Sequence, residues 1–123
     1  MLELISALAL FTSSAAAQDG PFPQSCTYQN VTESDEDGAT EVYCTLRYVS
    51  TPTGLRHTFR FGGRTVVIDQ GSDRRNGLWR SGKIDGRPAV ILELWRGSYV
   101  ATTTDLQVSM EWRDQGSPKY PAN

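Results

Sequence analysis

Between Arg60 and Arg87 the chain carries seven basic residues: Arg60, Arg64, Arg74, Arg75, Arg80, Lys83 and Arg87. A guanidinium grips carboxylates and phosphates through paired N–H donors and stacks on rings, so such a group is suited to an anionic partner. Trp79, Trp95, Tyr99 and Trp112 add ring faces wherever they lie outside the core. The tentative binding set is Arg74, Arg75, Arg80 and Arg87, with Arg74 and Arg75 on the loop QGSDRRNG, residues 70 to 77. The glycines of the same stretch do not make a phosphate cradle, because no helix follows to point its N-terminus at an anion.

Other chemistries find less support. Five acidic residues run from Glu33 to Glu41 with no basic one among them, and Glu33, Asp35, Asp37 and Gly38 imitate the start of a calcium loop. The imitation fails at the twelfth position, where Cys44 replaces the bidentate glutamate. A solvated acidic tip at 33–41 is therefore expected rather than a metal site. His57 is the only histidine, and no nucleophile is spaced to serve it. Asp69 and Glu93 could act as a carboxylate pair, yet Asp69 is expected opposite Arg56 and Glu93 near Arg80. No catalytic residues, metal ligands or cofactor are assigned, and the domain is read as non-enzymatic.

These residues must be positioned by strands. Alternation at period two recurs along the chain, and helical periodicity never lasts three turns. Leu55, His57, Phe59 and Phe61 alternate with Arg56, Thr58 and Arg60; Gly62-Gly63 then turns the chain into RTVVID. A two-residue turn sets Phe61 opposite Arg64, Phe59 opposite Val66, His57 opposite Ile68 and Arg56 opposite Asp69. Asp85-Gly86 signals a second tight hairpin, pairing Trp79 with Leu92, Arg80 with Ile91 and Ser81 with Val90. Further strands are expected at Cys26–Val31, 40–50, 99–103 and Leu106–Trp112, with Cys26 directly opposite Cys44 and Tyr28 opposite Val42. The expected fold is all-β: a small antiparallel barrel or two-sheet sandwich of six to eight strands in hairpin order, with one disulfide.

Residues 1–17, MLELISALALFTSSAAA, read as a signal peptide. Leu4 to Phe11 is almost wholly apolar, and Ala15 and Ala17 form an A-x-A cleavage pattern, although Glu3 stands where a basic residue is usual. The apolar stretch is too short to span a bilayer. Residues 18–123 then form a single exported domain, periplasmic or extracellular, whose last residues, 118–123, are a loose tail. Removing Glu3 from the 14 acidic residues leaves 13 against 12 basic, a net charge of −1. That balance, with no nucleic-acid module, excludes nucleic acid as partner.

The plan of leader, one disulfide and small all-β domain resembles that of bacterial periplasmic or secreted proteins, including proteinaceous lysozyme inhibitors. The expected function is a binding module that meets an anionic envelope partner, an envelope protein or an anionic glycan, through its arginine-rich face. The alternative is an inhibitor of an exported hydrolase of the lysozyme type. In an oxidising compartment Cys26 and Cys44 pair as a structural disulfide. Reducing it is expected to cost about 3 kcal/mol of unfolding free energy, measured from urea midpoints of oxidised and reduced protein. Equal midpoints would contradict a structural bridge.

Overall fold

A computed structural model describes residues 19–33, 40–75, 79–95 and 97–114, with the backbone alone for 73–75 and 95. Eight strands follow one another: β1 (Asp19–Asn30), β2 (Glu41–Thr51), β3 (Gly54–Phe61), β4 (Arg64–Arg75), β5 (Trp79–Ile84), β6 (Arg87–Trp95), β7 (Ser98–Thr103) and β8 (Val108–Asp114). Each pairs antiparallel with the next, and β8 pairs back onto β1, so the sheet closes into a barrel. The sandwich alternative is thereby excluded. No helix long and apolar enough to cross a membrane occurs among the described residues.

The two tight hairpins have the register their turn residues dictate. Phe59 faces Val66, His57 faces Ile68 and Arg56 faces Asp69 across Gly62-Gly63, whose φ values of 54° and 78° only glycine adopts without cost. Across Asp85-Gly86, Trp79 faces Leu92, Arg80 faces Ile91 and Ser81 faces Val90. On the outer face Arg56 grips Asp69 bidentately, at 2.7 and 3.2 Å.

Elsewhere closure overrides local signals. Strand β1 begins at Asp19, not Cys26, although Pro21 and Pro23 lie within it. Before Gln24 it pairs with β2 alone, leaving one edge without a ladder, the setting in which strands tolerate proline. Cys26 faces Val42 and Cys44 faces Gln24, two residues from the expected pairing. A two-residue shift keeps every side chain on its own face, so both cysteines still point inward and bond diagonally, with Cα atoms 5.9 Å apart. Strand β4 continues through Arg75 where a loop was expected at 70–77. The low strand propensity of Gly71-Ser72-Asp73 is absorbed as an irregularity between Gln70 and Arg74, after which the ladder to β5 resumes. The last strand starts at Val108 rather than Leu106. Leu106 has a φ of 62° and is 72 % exposed in a turn tied by Thr103 and Asp105. The Thr103 hydroxyl donates to Asp105 at 2.7 Å and accepts from the Val108 amide at 3.0 Å.

Alternate residues of all eight strands point inward, and at one end they fill the barrel. Phe59, Val66, Ile68, Ile84, Val108 and Met110 are buried there. Tyr28 and Phe61, ring centroids 5.9 Å apart, cover that end, with the Arg64 guanidinium 4.6 Å above the Tyr28 ring and paired to Glu33 at 2.8 Å. The turns 62–63, 85–86 and 104–107 lie at this closed end; those at 52–53 and after Trp95 lie at the other.

Gly82 sits midway, on the inner face of β5. A Cβ there would stand 2.1 Å from the Asp69 carbonyl oxygen and 2.5 Å from Ile91 Cδ1. Gly82→Ala therefore forces β4 and β5 apart and should destabilise by about 1–3 kcal/mol. A lowered urea midpoint checks this; an unchanged midpoint would mean that the ladder yields without cost.

Candidate functional site

Inward-facing residues change character towards the open end. On β2, buried Cys44 and Leu46 give way to Tyr48; on β3, Phe59 gives way to His57 and Leu55. On β4, Ile68 is followed by Gln70; on β6, Ile91 by Glu93; and on β8, Trp112 by Asp114. Strand β5 brings Arg80 and strand β7 brings Tyr99 to the same end. Together they line a cavity of about 410 Å³ with contributions from every strand. A shallower groove of about 350 Å³ adjoins it, where Phe22 and Pro23 meet Leu46 and Tyr48.

The deep wall is aromatic. Trp112, 3 % exposed, stacks on Tyr99 at 5.3 Å and meets Phe59 at 5.0 Å and His57 at 5.7 Å. Tyr48 lies 6.2 Å from the His57 ring and 5.5 Å from Phe22. The barrel interior thus presents a run of ring faces and edges, surfaces on which a flat apolar group stacks well.

His57 is 7 % exposed, lies parallel to the Phe59 ring at 6.2 Å, and its Nδ1 is sealed without a hydrogen-bond partner. Burial lowers its pKa to about 4; a hydrogen bond with the Ile68 backbone and the Asp69 carboxylate oppose this less strongly. The imidazole is therefore neutral near pH 7.

Polar groups form the rim. Gln24 Nε2 donates to Asp114 Oδ1 at 2.8 Å, and the Asp114 amide donates to the Gly97 carbonyl at 3.3 Å. Arg80 is half-buried and Glu93 exposed, and among the described residues neither is in an ion pair. Burial raises the pKa of the Tyr99 hydroxyl, and the charges of Glu93 and Asp114 add to that, while Arg80 opposes them.

Of the arginines singled out by sequence, Arg80 lines the cavity. Arg87 is at the opposite end, its Nη2 2.6 Å from Asp105 Oδ2. With hydrogen bonds from Thr103, Gln107 and Arg87, Asp105 has a pKa below the usual carboxylate range. The backbones of Arg74 and Arg75 pair with Arg80 and Trp79 near the open end, and their side chains lie outside the described residues. The middle of the acidic tip, with Asp35, Glu36 and Asp37, also lies outside them, as does the leader; at its edges Glu33 pairs with Arg64 and Glu41 with Arg113. Among the described residues no cluster of His, Cys, Asp and Glu could hold a metal ion. Asp69 and Glu93 do not share a site, since Asp69 is held on the outer face by Arg56 and Glu93 turns inward.

Sequence names Tyr99 and Trp112 as ring faces but does not assemble them with Tyr48 and His57 into one aromatic wall. Its signal is present nonetheless: Tyr48, Gln70, Glu93 and Asp114 continue the inward phase of apolar strands with larger or polar residues. No protein-family model, curated protein or solved structure matches the chain.

His57 makes stability depend on pH. Unfolded, the imidazole binds a proton near pH 6.5; folded, only near 4. In that interval the unfolded chain holds more protons, so stability is whole above pH 6.5 and falls as pH drops towards 4. The loss between pH 7 and 4.5 should be about 2–3 kcal/mol larger than in His57→Phe, which has no imidazole to protonate. Urea unfolding of both proteins at the two pH values measures it. Parallel losses would rule out the histidine as the cause.

Proposed function

We propose that this domain is a non-enzymatic binding module that takes a small ligand into the open end of its barrel. The observation that carries the reading is the cavity of about 410 Å³ with an aromatic wall and a polar rim. Sites for small molecules are commonly concave, mostly apolar and about 300–1,000 Å³ in volume, with a few polar groups to orient the ligand. Eight-stranded barrels are just wide enough to hold one such molecule. The cavity's histidine is buried and neutral, which suits it to the apolar wall.

Recognition in this reading lies inside the barrel rather than across an outer arginine face. Arg80 and Arg87 stand at opposite ends, and Arg80 alone of those two reaches the cavity. The buried Cys26–Cys44 bridge supports action in an oxidising compartment, periplasmic or extracellular.

The fluorescent probe 1-anilinonaphthalene-8-sulfonate should bind one to one with an enhanced emission. Leu55→Trp, which places a large side chain in the mouth, should abolish that signal while circular dichroism stays unchanged. Equal binding by folded Leu55→Trp, or binding with no defined stoichiometry, would refute a ligand site in the barrel.

A further inference from the structure

Arg80 and Glu93 are adjacent in the cavity and opposite in charge. They stand on paired strands, Arg80 opposite Ile91 and Glu93 two residues further along the same inner face. A diagonal ion pair is open to them. None forms, and among the described residues neither side chain has a hydrogen-bond partner. The second carboxylate, Asp114, is already engaged by Gln24. Among the described residues the rim therefore holds a cation and an anion without an ion-pair partner, in the cavity that the stacked Tyr99 and Trp112 rings also line.

We infer that the ligand is a small zwitterion carrying an apolar or aromatic group, of the size of a free α-amino acid. Its carboxylate meets the Arg80 guanidinium, whose parallel N–H donors suit two carboxylate oxygens. Its ammonium meets Glu93, and its ring or aliphatic part packs on the wall of Tyr99, Trp112 and Tyr48. A ligand with only one charge leaves the other rim group without a counterion as the mouth is desolvated, which weakens it. Both charges stand in the lining beside Tyr99, whose hydroxyl has a pKa raised by burial and by the charges of Glu93 and Asp114, with Arg80 opposing. His57 adds a neutral ring to the same wall. It lines the same cavity, is more than nine-tenths buried, and keeps an unpartnered Nδ1.

The inference rests on the barrel-interior reading above and is separable from it. Isothermal titration of the disulfide-bonded protein with four compounds of one ring and different charge tests it. L-phenylalanine has both charges, phenethylamine only the ammonium, 3-phenylpropionate only the carboxylate, and 2-phenylethanol neither. L-phenylalanine should bind at least tenfold tighter than either singly charged compound, with the alcohol weakest. Arg80→Gln should lower L-phenylalanine to the level of phenethylamine without weakening phenethylamine itself. Glu93→Gln should lower it to the level of 3-phenylpropionate. Four affinities within threefold would overturn the zwitterion and leave a cavity that captures rings. A singly charged compound binding tightest would overturn it in favour of a site of one sign. If none of the four binds but the naphthalene probe does, the zwitterion fails and the barrel site stands. If neither binds, both fail. The four-compound series on the unaltered protein decides the matter even where a variant does not fold.

Discussion

Closure of the sheet by the ladder between β1 and β8 is the constraint on which the rest of the structure depends. Seven residue pairs, from Gln24 with Asp114 to Asn30 with Val108, join the first strand to the last. The closing ladder leaves no edge to template aggregation over its length. It also turns the alternating inner residues of eight strands towards one small interior. Each inward side chain then competes for the same volume, and its position along the barrel axis decides whether it is packed or solvated.

The two ends resolve that competition differently. At the closed end, two tight turns and the Thr103–Asp105 turn bring Phe59, Ile68, Ile84 and Met110 into contact, under a lid of Tyr28, Phe61 and Arg64. Towards the open end the inward residues become polar, and they line a cavity rather than fill the interior. The disulfide sits between these regimes, tying β1 to β2 where the inner face passes from apolar packing to the cavity. Trp112 joins the two regimes: its ring meets Phe59 of the core and stacks on Tyr99 of the cavity lining.

A consequence is that polar groups are tolerated in unequal states. His57 is kept neutral because burial outweighs the nearby Asp69 charge. Arg80 and Glu93 stand nearer the mouth, the first half-buried and the second exposed. Such a gradient from dry rings to hydrated charges suits a molecule with one apolar end and one charged end.

Much of this was legible in the chain itself. The period-two patterns, the glycine turns at 62–63 and 85–86, and the cysteine pair are local signals, and they specified the registers of those two hairpins and the covalent bridge without reference to the rest of the fold. Other features had no local cause. Residues 19–25 become strand, against their prolines and glycine, because β2 offers them a partner along their length and β8 joins at Gln24. The cysteines pair diagonally because β1 must satisfy two neighbours at once. The cavity unites Gln24, His57, Arg80, Glu93, Trp112 and Asp114 from five strands. Sequence alone determined the all-β class, the inward phase of the strands and the pairs of the two glycine-turn hairpins, because those follow from backbone period and turn chemistry. Only the tertiary structure decided which inward residues meet at the open end, because that depends on the stagger with which eight strands close.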